Sequence, residues 1–282
     1  MRVSILGLSM LALYEHSTSV CVIKVRLTLL EKGIDYESRF IDLRRGGQFD
    51  RDYIRIHPGA VVPALLYNGK PILESSVIQY FLEDLHPDPA MMPTDLLQRH
   101  RVRWLMKFID DPIHPATGLL TAAIAFRKDY PTPEAVEARL AKLVDPRRRD
   151  RQRSVFTDGV DSPFVVDAVK DFDRLLEEME TILSDDPWLG GDLYSLADAA
   201  ATPYINRLQM LDLLDLFTGD RPRVRDWFDR VRARPSFDEG ITKWYSDDDA
   251  DRFAPCAQDG SDKKKIKLIL DKAAAERATP PI

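Results

Sequence analysis

The segment at residues 61–76 constrains the fold of this chain more than any other. It contains two short apolar runs joined by Asn68-Gly69, a dipeptide that tolerates the positive φ angles of a tight hairpin turn. Pro63 stands at the entry of the first run and removes one ladder donor, which suits an edge or a strand start. A Glu-Ser-Ser sequence follows the second run where a helix begins, so hydroxyls and unpaired N–H groups point towards an anion there. The segment therefore predicts a strand edge beside an anion site, a place that suits a small peptide.

The composition predicts two domains with a polar surface. A chain of 282 residues exceeds the usual size of one domain, and its apolar share of 44% is enough for a buried core. The formal charge of −6 argues against nucleic acid as the main partner. Cys21 and Cys256 lie too far apart in sequence to suggest a disulfide framework or a paired metal site. We therefore expect no metal and a reducing compartment.

The first residues resemble a weak secretion signal, because one arginine precedes an apolar run. No small-x-small cleavage site follows, and the run merges into residues 11–14, which we expect to form the first strand. No other stretch approaches the ~18 apolar residues that a membrane helix needs. The sequence therefore predicts a soluble cytoplasmic protein without a membrane partner.

The first third of the chain alternates between strand and helix patterns. The predicted elements are a strand at 11–14, a helix at 20–32, a strand at 36–43, a short helix at 50–56, the hairpin, and a helix at 77–85. This order is thioredoxin-like, and we place an α/β domain at residues 10–87. The proline-rich stretch 86–93 is interpreted as the interdomain linker.

Beyond residue 96 the strand signals disappear and helical periodicity takes over. Predicted helices cover residues 97–108, 116–128, 133–143, 162–183, 196–214 and 224–232. We expect an all-helical domain at residues 96–250 and a C-terminal tail at 251–282, whose lysine and alanine runs indicate a loosely attached or exposed helix. Ser195 and Asp198 form a helix-capping pattern. The basic run 146–153 is interpreted as a solvated helix face or loop, since no aromatic residues are interleaved.

A series of short motifs resembles the glutathione transferases over roughly residues 11–244. The motifs are Ser19-Val20-Cys21, Lys24-Val25-Arg26-Leu27, Glu31-Lys32-Gly33, His57-Pro58-Gly59, Pro63-Ala64-Leu65, Asn68-Gly69, Glu74-Ser75, Tyr194-Ser195-Leu196-Ala197-Asp198, Trp227 and Arg232-Ala233-Arg234-Pro235-Ser236. The resemblance implies a thioredoxin-like α/β N-terminal domain followed by an all-α helical-bundle C-terminal domain. It also implies glutathione as co-substrate and a homodimer, with a heterodimer with a paralogue as the alternative.

The segment between Asp110 and Val165 is unusual within that superfamily. Together with the helix that contains Leu175-Leu176-Glu177-Glu178, it is similar to the bacterial transferases that cleave β-aryl ether bonds of lignin dimers. This narrower resemblance implies a hydrophobic aromatic molecule as the second substrate.

Such an enzyme must favour the thiolate of glutathione. A thiol with a pKa of about 8.5 is mostly protonated at neutral pH, yet the thiolate is the nucleophile. A hydroxyl donor and a helix N-terminus favour the anion, and a shift of two units corresponds to about 2.7 kcal/mol. Ser17, Thr18 and Ser19 lie between the first strand and the first helix, where this donor is needed. The Ser-x-Cys pattern of bacterial members favours Ser19, then Thr18, then Ser17; the alternative is that all three cap the helix.

Cys21 is a further candidate nucleophile, as in the cysteine-type thiol transferases. The Cys-Pro pattern of those enzymes is absent here. We therefore expect a buried, inert thiol on the first helix.

The resemblance also implies how glutathione is held. Val62 would offer its backbone N–H and C=O to the cysteinyl part, as an added strand does, next to a cis peptide bond at Pro63. Glu74 would face the ammonium of the γ-glutamyl end, and Ser75 its α-carboxylate. Gln48 aligns with a polar residue that reaches the glycyl carboxylate. A simple helix cap at Glu74 and Ser75 is the alternative, which the adjoining Val-Pro strand and hairpin disfavour.

The second substrate would lie between the domains. Trp104 and Phe108 are four residues apart and share one helical face, which suits either a pocket wall or core packing. His114 follows a turn and could act as an acid or base, although a solvent-exposed role is the alternative. Trp244 and Tyr245 could close the pocket, and the sequence does not decide whether they do.

These residues predict a glutathione transferase. The thiolate would displace a leaving group from an aromatic electrophile, and a β-aryl ether of lignin origin is the favoured substrate. The alternatives are a glutathione-dependent dehalogenase or general detoxifying transferase, and a non-catalytic binding protein of the same fold.

Overall fold

The computed structural model describes residues 11–143, 145–258 and 260–278. Its first part is a four-stranded sheet made of β1 (Leu11–Glu15), β2 (Glu37–Phe40), β3 (Ala64–Tyr67) and β4 (Lys70–Leu73). The strand order is β2-β1-β3-β4; β1 and β2 are parallel, and β3 runs antiparallel to both β1 and β4. This mixed sheet confirms the expected thioredoxin-like α/β fold.

The hairpin at the end of the sheet forms as predicted. Tyr67 of β3 pairs with Lys70 of β4, and Asn68 and Gly69 between them have φ angles of 50° and 77°. Two consecutive positive φ angles match the right-handed twist of the flanking strands. The Asn-Gly dipeptide therefore fixes the register of this edge.

Three helices complete this domain: α1 (Val20–Glu31), α2 (Arg51–Ile56) and α3 (Ser75–Leu85). The apolar side chains of α1 and α3 and of one sheet face form a single buried cluster that comprises Leu11, Leu13, Val25, Leu29, Leu65, Ile78 and Leu82. A smaller cluster, Val22, Tyr53, Val62 and Ala64, joins α2 to the sheet. Packing on both clusters fixes α1 and the segment before β3 relative to each other.

The remaining chain is helical within the described ranges. Its α-helices are α4 (Leu96–Phe108), α5 (His114–Thr121), α6 (Pro133–Leu140), α7 (Pro146–Asp158), α8 (Pro163–Asp185), α9 (Leu196–Met210), α10 (Leu214–Thr218), α11 (Pro222–Arg232), α12 (Pro235–Gly240), α13 (Asp247–Gln258) and α14 (Gly260–Ala278). The buried α9 begins with a capping box between Ser195 and Asp198, as the sequence predicted. No helix in these ranges is long and apolar enough to cross a membrane.

The helix that starts at Leu96 continues past its predicted end through a π-helical turn, Ile109–Ile113. Pro112 lies inside this turn and has no N–H to donate to the helix ladder. The wider turn accommodates the missing hydrogen bond and rotates the following residues. His114 emerges from it as the first residue of α5.

The C-terminal tail is attached more firmly than its composition indicated. Ile266 is fully buried in α14 and Phe253 is 7% exposed in α13, and both belong to the main core of the helical domain. Lys263 pairs with Asp212 and Asp215 at 3.0 and 2.9 Å. The expectation of a loosely attached helix is therefore wrong. Apolar side chains of the tail pack against the core of the helical domain, and the charged residues between them hide this pattern in the sequence.

The two domains meet around the buried side chain of Arg26 on α1. Its guanidinium pairs with the fully buried carboxylate of Glu15 on β1 at 2.8 Å and donates to the carbonyl of Gly240 at 2.7 Å. The guanidinium carbon also lies 3.6 Å from the centre of the Trp244 ring. One side chain thus ties the sheet and the first helix to the end of α12.

Replacing Arg26 with Met should destabilise the protein strongly. The substitution leaves the Glu15 carboxylate buried and unpaired, which costs about 3–5 kcal/mol in free energy of unfolding. Arg55→Met is the matched control, because Arg55 is 79% exposed in its ion pair with Asp52 and such surface pairs contribute at most about 1 kcal/mol. Urea unfolding of both variants measures the difference, and equal losses would contradict the role of Arg26.

Candidate functional site

The peptide bond between Val62 and Pro63 is cis, as the resemblance implied. Val62 precedes the β3 ladder, which begins at Ala64, and its backbone groups have no hydrogen-bond partner among the described residues. The hydroxyl of Tyr53 donates to the carbonyl of Val61 at 2.6 Å and holds the preceding residue in place. The result is a short free edge that can pair with an extended peptide.

Glu74 and Ser75 lie at the start of α3, beside this edge. Glu74 has a φ of 70°, which is unusual for a residue other than glycine, and its carboxylate makes no capping hydrogen bond. Such a backbone costs of order 1–3 kcal/mol and is found most often at functional sites. Ser75 is buried as the first residue of the helix, where the backbone N–H groups are free to hold an anion. The geometry favours a binding role over a simple cap, since the exposed carboxylate is not used internally.

Gln48 lies in a 3-10 turn, Gly47–Phe49, between β2 and α2. Its side-chain oxygen is buried without a hydrogen-bond partner among the described residues. The two ends of a Gln amide have nearly the same shape, so a half-turn places an N–H donor where the oxygen now lies. An orphaned amide of this kind fits the predicted contact with a ligand carboxylate.

The three candidate hydroxyls occupy different environments. Ser19 is the N-cap residue of α1, yet its side chain makes no capping hydrogen bond. Its hydroxyl and the first N–H groups of α1 therefore remain available to a thiolate. The hydroxyl of Ser17 points to Asp249 on α13 at 3.5 Å, and Thr18 is held through its backbone carbonyl. The capping alternative therefore does not hold for Ser19. Thr18 stays the second candidate, because Arg207 engages its backbone carbonyl and not its hydroxyl.

The loop that carries these hydroxyls is anchored by two residues that sequence reasoning missed. The buried guanidinium of Arg207 on α9 donates to the carbonyl of Thr18 at 2.7 Å. Asp249, which is 2% exposed, accepts hydrogen bonds from Ser246 and pairs with Arg44 in the loop after β2. Neither residue belongs to a recognisable motif. Both lie on helices that are distant in sequence from the loop, so no local pattern indicates the contact.

A second polar cluster lies where α1, α5 and α9 meet. Sγ of Cys21 is 3.4 Å from Nδ1 of His114 and 3.8 Å from the hydroxyl of Tyr204. The Tyr204 hydroxyl is itself 3.4 Å from Nδ1 of His114. The expectation that Cys21 is buried is wrong, since the residue is only half-buried. Its sulfur also has a histidine partner, and the expectation of an inert thiol stays a prediction. The spacing of 93 residues between Cys21 and His114 hid this pair from sequence analysis.

Trp104 and Phe108 stack with ring centres 5.4 Å apart. Arg174 of α8 lies 4.9 Å from the centre of the Phe108 ring, so the aromatic pair packs towards α8. This contact supports core packing for the pair, whereas His114 faces α1 and α9. The role of all three in substrate binding remains a prediction.

A cavity of about 300 Å³ adjoins the hydroxyl loop. It is lined by His16, Ser17, Phe40, Asp42, Arg44, Lys243, Trp244, Ser246 and Asp249. Trp244 therefore borders a cavity between the domains, whereas the Tyr245 hydroxyl is engaged with Asn206 at 2.8 Å. Within the described ranges no group of acidic, histidine and cysteine side chains is arranged to hold a metal ion.

Both domains match known families. Residues 18–85 match the N-terminal domain of glutathione S-transferases, and residues 133–230 match the C-terminal domain. The chain therefore belongs to the glutathione S-transferase family, whose members use glutathione as co-substrate. Helices α13 and α14 lie beyond the matched segments.

Among similar proteins, LigF of Sphingobium sp. strain SYK-6 is 27% identical over 243 residues, which cover 83% of this chain and 93% of LigF. The crystal structure of that β-etherase has a TM-score of 0.73 to this fold, at 26% identity, and covers 83% of this chain and 99% of LigF. A tetrachloro-p-hydroquinone reductive dehalogenase from Sphingobium chlorophenolicum is 26% identical over 239 residues, covering 80% of this chain and 94% of that enzyme.

Replacing Asp249 with Asn should release the start of α13 from the loop after β2. The substitution removes a charge-assisted contact with Arg44, and such contacts contribute about 1.5–3 kcal/mol. Amide hydrogen exchange in residues 247–258 should accelerate accordingly. Asp251→Asn is the control, because Asp251 is exposed in the same helix; equal acceleration in both variants would show that Asp249 does not anchor the segment.

Proposed function

We propose that this protein is a glutathione transferase that cleaves β-aryl ethers of the kind found in lignin-derived compounds. The observation that carries the proposal is the likeness to LigF, which extends through both domains in sequence and in structure. The free strand edge at Val62 and the unusual backbone of Glu74 support glutathione as the first substrate.

In the proposed complex, the cysteinyl part of glutathione pairs with the backbone of Val62. Glu74 holds the ammonium group, and Ser75 with the first N–H groups of α3 holds the α-carboxylate. Gln48 contacts the glycyl carboxylate. This arrangement places the glutathione sulfur at the N-terminus of α1, where Ser19 donates a hydrogen bond to the thiolate.

The proposed chemistry is a substitution at the carbon that bears the aryl ether. The thiolate supplies the electron pair of the new carbon–sulfur bond, the carbon–oxygen bond breaks, and the phenolate leaves with its electron pair. A phenol has a pKa of about 10, so the phenolate is a good leaving group and takes its proton from solvent. The reaction therefore requires no strong general acid.

Displacement of halide is the second candidate function. The observation that favours it is the likeness to the reductive dehalogenase of Sphingobium chlorophenolicum. The unusual segment between Asp110 and Val165 argues against it, because a segment of this size is expected to remodel the second-substrate pocket. A glutathione-binding protein without turnover is the remaining alternative, and the unused binding groups of Gln48 and Glu74 count against it.

Two substrates separate these functions. The purified protein, supplied with glutathione, should release phenol from a model β-aryl ether; release of halide from an organic halide without any phenol would favour the dehalogenase. Release of neither, with glutathione still bound, would favour the binding protein. We further propose a cytoplasmic homodimer, which equilibrium sedimentation of the purified protein and cell fractionation would test.

Replacing Glu74 with Gln should weaken glutathione binding by about 10- to 100-fold. The variant loses a charge-assisted contact worth about 1.5–3 kcal/mol. The increase in melting temperature that millimolar glutathione produces should therefore shrink, since that increase follows the ligand concentration relative to Kd. Glu134→Gln is the control, because Glu134 is also exposed at the first turn of a helix, α6. An unchanged increase in the Glu74 variant would exclude this contact.

Replacing Ser19 with Ala should reduce kcat/KM for ether cleavage at pH 7 by about 10- to 100-fold. The hydroxyl lowers the pKa of the bound thiol, so its loss raises that pKa and moves the activity to higher pH. The defect should therefore diminish above about pH 9, where the thiol ionises without help. Thr18→Ala and Ser17→Ala serve as controls with smaller effects. A pH profile identical to that of the wild type would remove Ser19 as the donor.

A further inference from the structure

The guanidinium of Arg207 on α9 is a buried cation that has no carboxylate partner among the described residues. Its terminal N–H groups donate to the hydroxyl of Thr121 at 3.1 Å and to the carbonyl of Thr18 at 2.7 Å. Nε is buried without an acceptor in the same part of the chain. An arginine stays charged at neutral pH, and burial of a charge is costly unless an anion compensates it. One buried positive charge beside the hydroxyl loop therefore lacks an anion.

The ionisable groups around Arg207 leave its charge uncompensated. Asp249 of α13 acts on it through space, but that carboxylate already pairs with Arg44. Tyr204 and Tyr245 remain neutral at pH 7, because burial raises the pKa of both phenols. Burial also lowers the pKa of Arg207, which is the direction expected for a cation taken out of water.

The tail helix α13 covers this cation. The centre of the Phe253 ring lies 5.1 Å from the guanidinium carbon, and Phe253 packs against Phe126 with ring centres 6.1 Å apart. An apolar cover keeps water away, so the charge acts over a longer distance than a charge at the surface. Helix α13 lies beyond the segments that match the family domains, so this cover is not part of the matched fold.

The hydrogen bond to Thr18 fixes the peptide plane before Ser19. The carbonyl of Thr18 faces Arg207, and the C=O and N–H of a trans peptide point in opposite directions. The N–H of Ser19 therefore points away from the guanidinium, and it has no acceptor among the described residues. The Ser19 hydroxyl makes no capping hydrogen bond either. Ser19 thus presents two unused donors at the start of α1.

We propose that Arg207 is a positioning residue for the glutathione thiolate, and that α13 sets the strength of its effect by covering the guanidinium. The inference rests on the proposed function only in that glutathione binds with its sulfur at the N-terminus of α1. Arg207 acts in two ways: it holds the N–H of Ser19 towards the sulfur, and its charge favours the anion through space. The thiol proton passes to solvent, and the thiolate keeps the electron pair with which it attacks.

Other ionisable groups lie near the same helix end. Burial raises the pKa of the Cys21 thiol, but the charge and hydrogen bond of His114 and the charge of Lys24 outweigh it and bring the pKa to about 7. Lys24 is itself paired with a carboxylate of the π-helical turn. His16 is neutral, since burial lowers its pKa. A titration of the bound glutathione thiol must therefore exclude the signal of Cys21.

Ultraviolet absorbance of the thiolate, followed against pH in the glutathione complex, tests the proposal. The complex with S-methylglutathione, which has no thiol, is subtracted to remove the signal of Cys21. Arg207→Met should raise the midpoint by about one unit, because loss of a cation disfavours the anion; the thiolate fraction below both midpoints then falls about tenfold. Arg207→Lys keeps the charge and should restore most of the shift. An unchanged midpoint in the Met variant, or equal shifts in both variants, would overturn the proposal.

Arg221→Met is the matched control for loss of a buried arginine. Arg221 is 5% exposed and pairs with Asp173 at 2.7 Å on a different side of the helical domain. This variant should lower the melting temperature without moving the thiol midpoint. An equal shift of the midpoint would show that general loosening of the domain causes the effect, and would overturn the role of Arg207.

Phe253→Ala tests the cover. Water then reaches the guanidinium and screens it, so the midpoint should rise by less than in Arg207→Met. In the Arg207→Met background the same substitution should add no further shift, since there is no charge left to screen. Phe228→Ala, which removes a buried ring of α11, is the control and should leave the midpoint unchanged. A full second shift in the double variant would overturn the role of α13.

These titrations contain no aromatic ether, so a failed cleavage assay alone leaves the inference intact. The increase in melting temperature with glutathione establishes first that the wild type and each variant bind it. A wild type that does not bind glutathione would overturn this inference together with the glutathione site. Binding with an unshifted thiol in the wild type, at a midpoint of about 8.5 or above, would overturn the inference alone.

Discussion

The arrangement of the two domains depends on the buried ion pair between Glu15 and Arg26. A guanidinium cannot lose its proton and carries five N–H donors, so burial is tolerable only if acceptors are fixed around it. Glu15 supplies one from β1 and Gly240 another from the end of α12, while Trp244 covers one face. Because these acceptors come from both domains, the helical domain has little freedom to rotate against the sheet. The loop before α1 therefore lies between two domains whose relative position is fixed.

The candidate reactive groups lie at the N-terminus of α1, where the two domains meet. On one side lie the free edge at Val62 and the start of α3, both in the thioredoxin-like domain. On the other side His114 and Tyr204 reach the thiol of Cys21 from the helical domain. The same helix dipole acts on whatever anion lies at this end. The groups proposed to hold glutathione come from the thioredoxin-like domain, whereas the opposite side of the site comes from the helical domain. Substitutions in the helical domain can therefore alter which second substrate fits without altering the glutathione contacts.

Local patterns predicted elements of both domains correctly. Asn68-Gly69 fixes a hairpin because few other dipeptides tolerate two positive φ angles, and Ser195 with Asp198 caps a helix through bonds within four residues. Long-range pairs were not predictable in this way. Cys21 and His114 are separated by 93 residues, and neither residue's surroundings indicate that the π-helical turn aims the histidine at the thiol. The packing of the tail was missed for the same reason, since its apolar face is interrupted by lysines.

The sequence by itself determined the family, the two-domain fold and the groups that suit glutathione, because each follows from motifs of a few adjacent residues. Only the tertiary structure distinguished the three neighbouring hydroxyls. It engages the hydroxyl of Ser17 with Asp249 and leaves that of Ser19 without a capping bond, while Arg207 binds Thr18 through its backbone carbonyl. It also turned Cys21 from an expected inert core residue into a paired thiol. The physical reason is that hydrogen bonds and charges act through space, so the state of a nucleophile is set by neighbours that the order of the chain does not reveal.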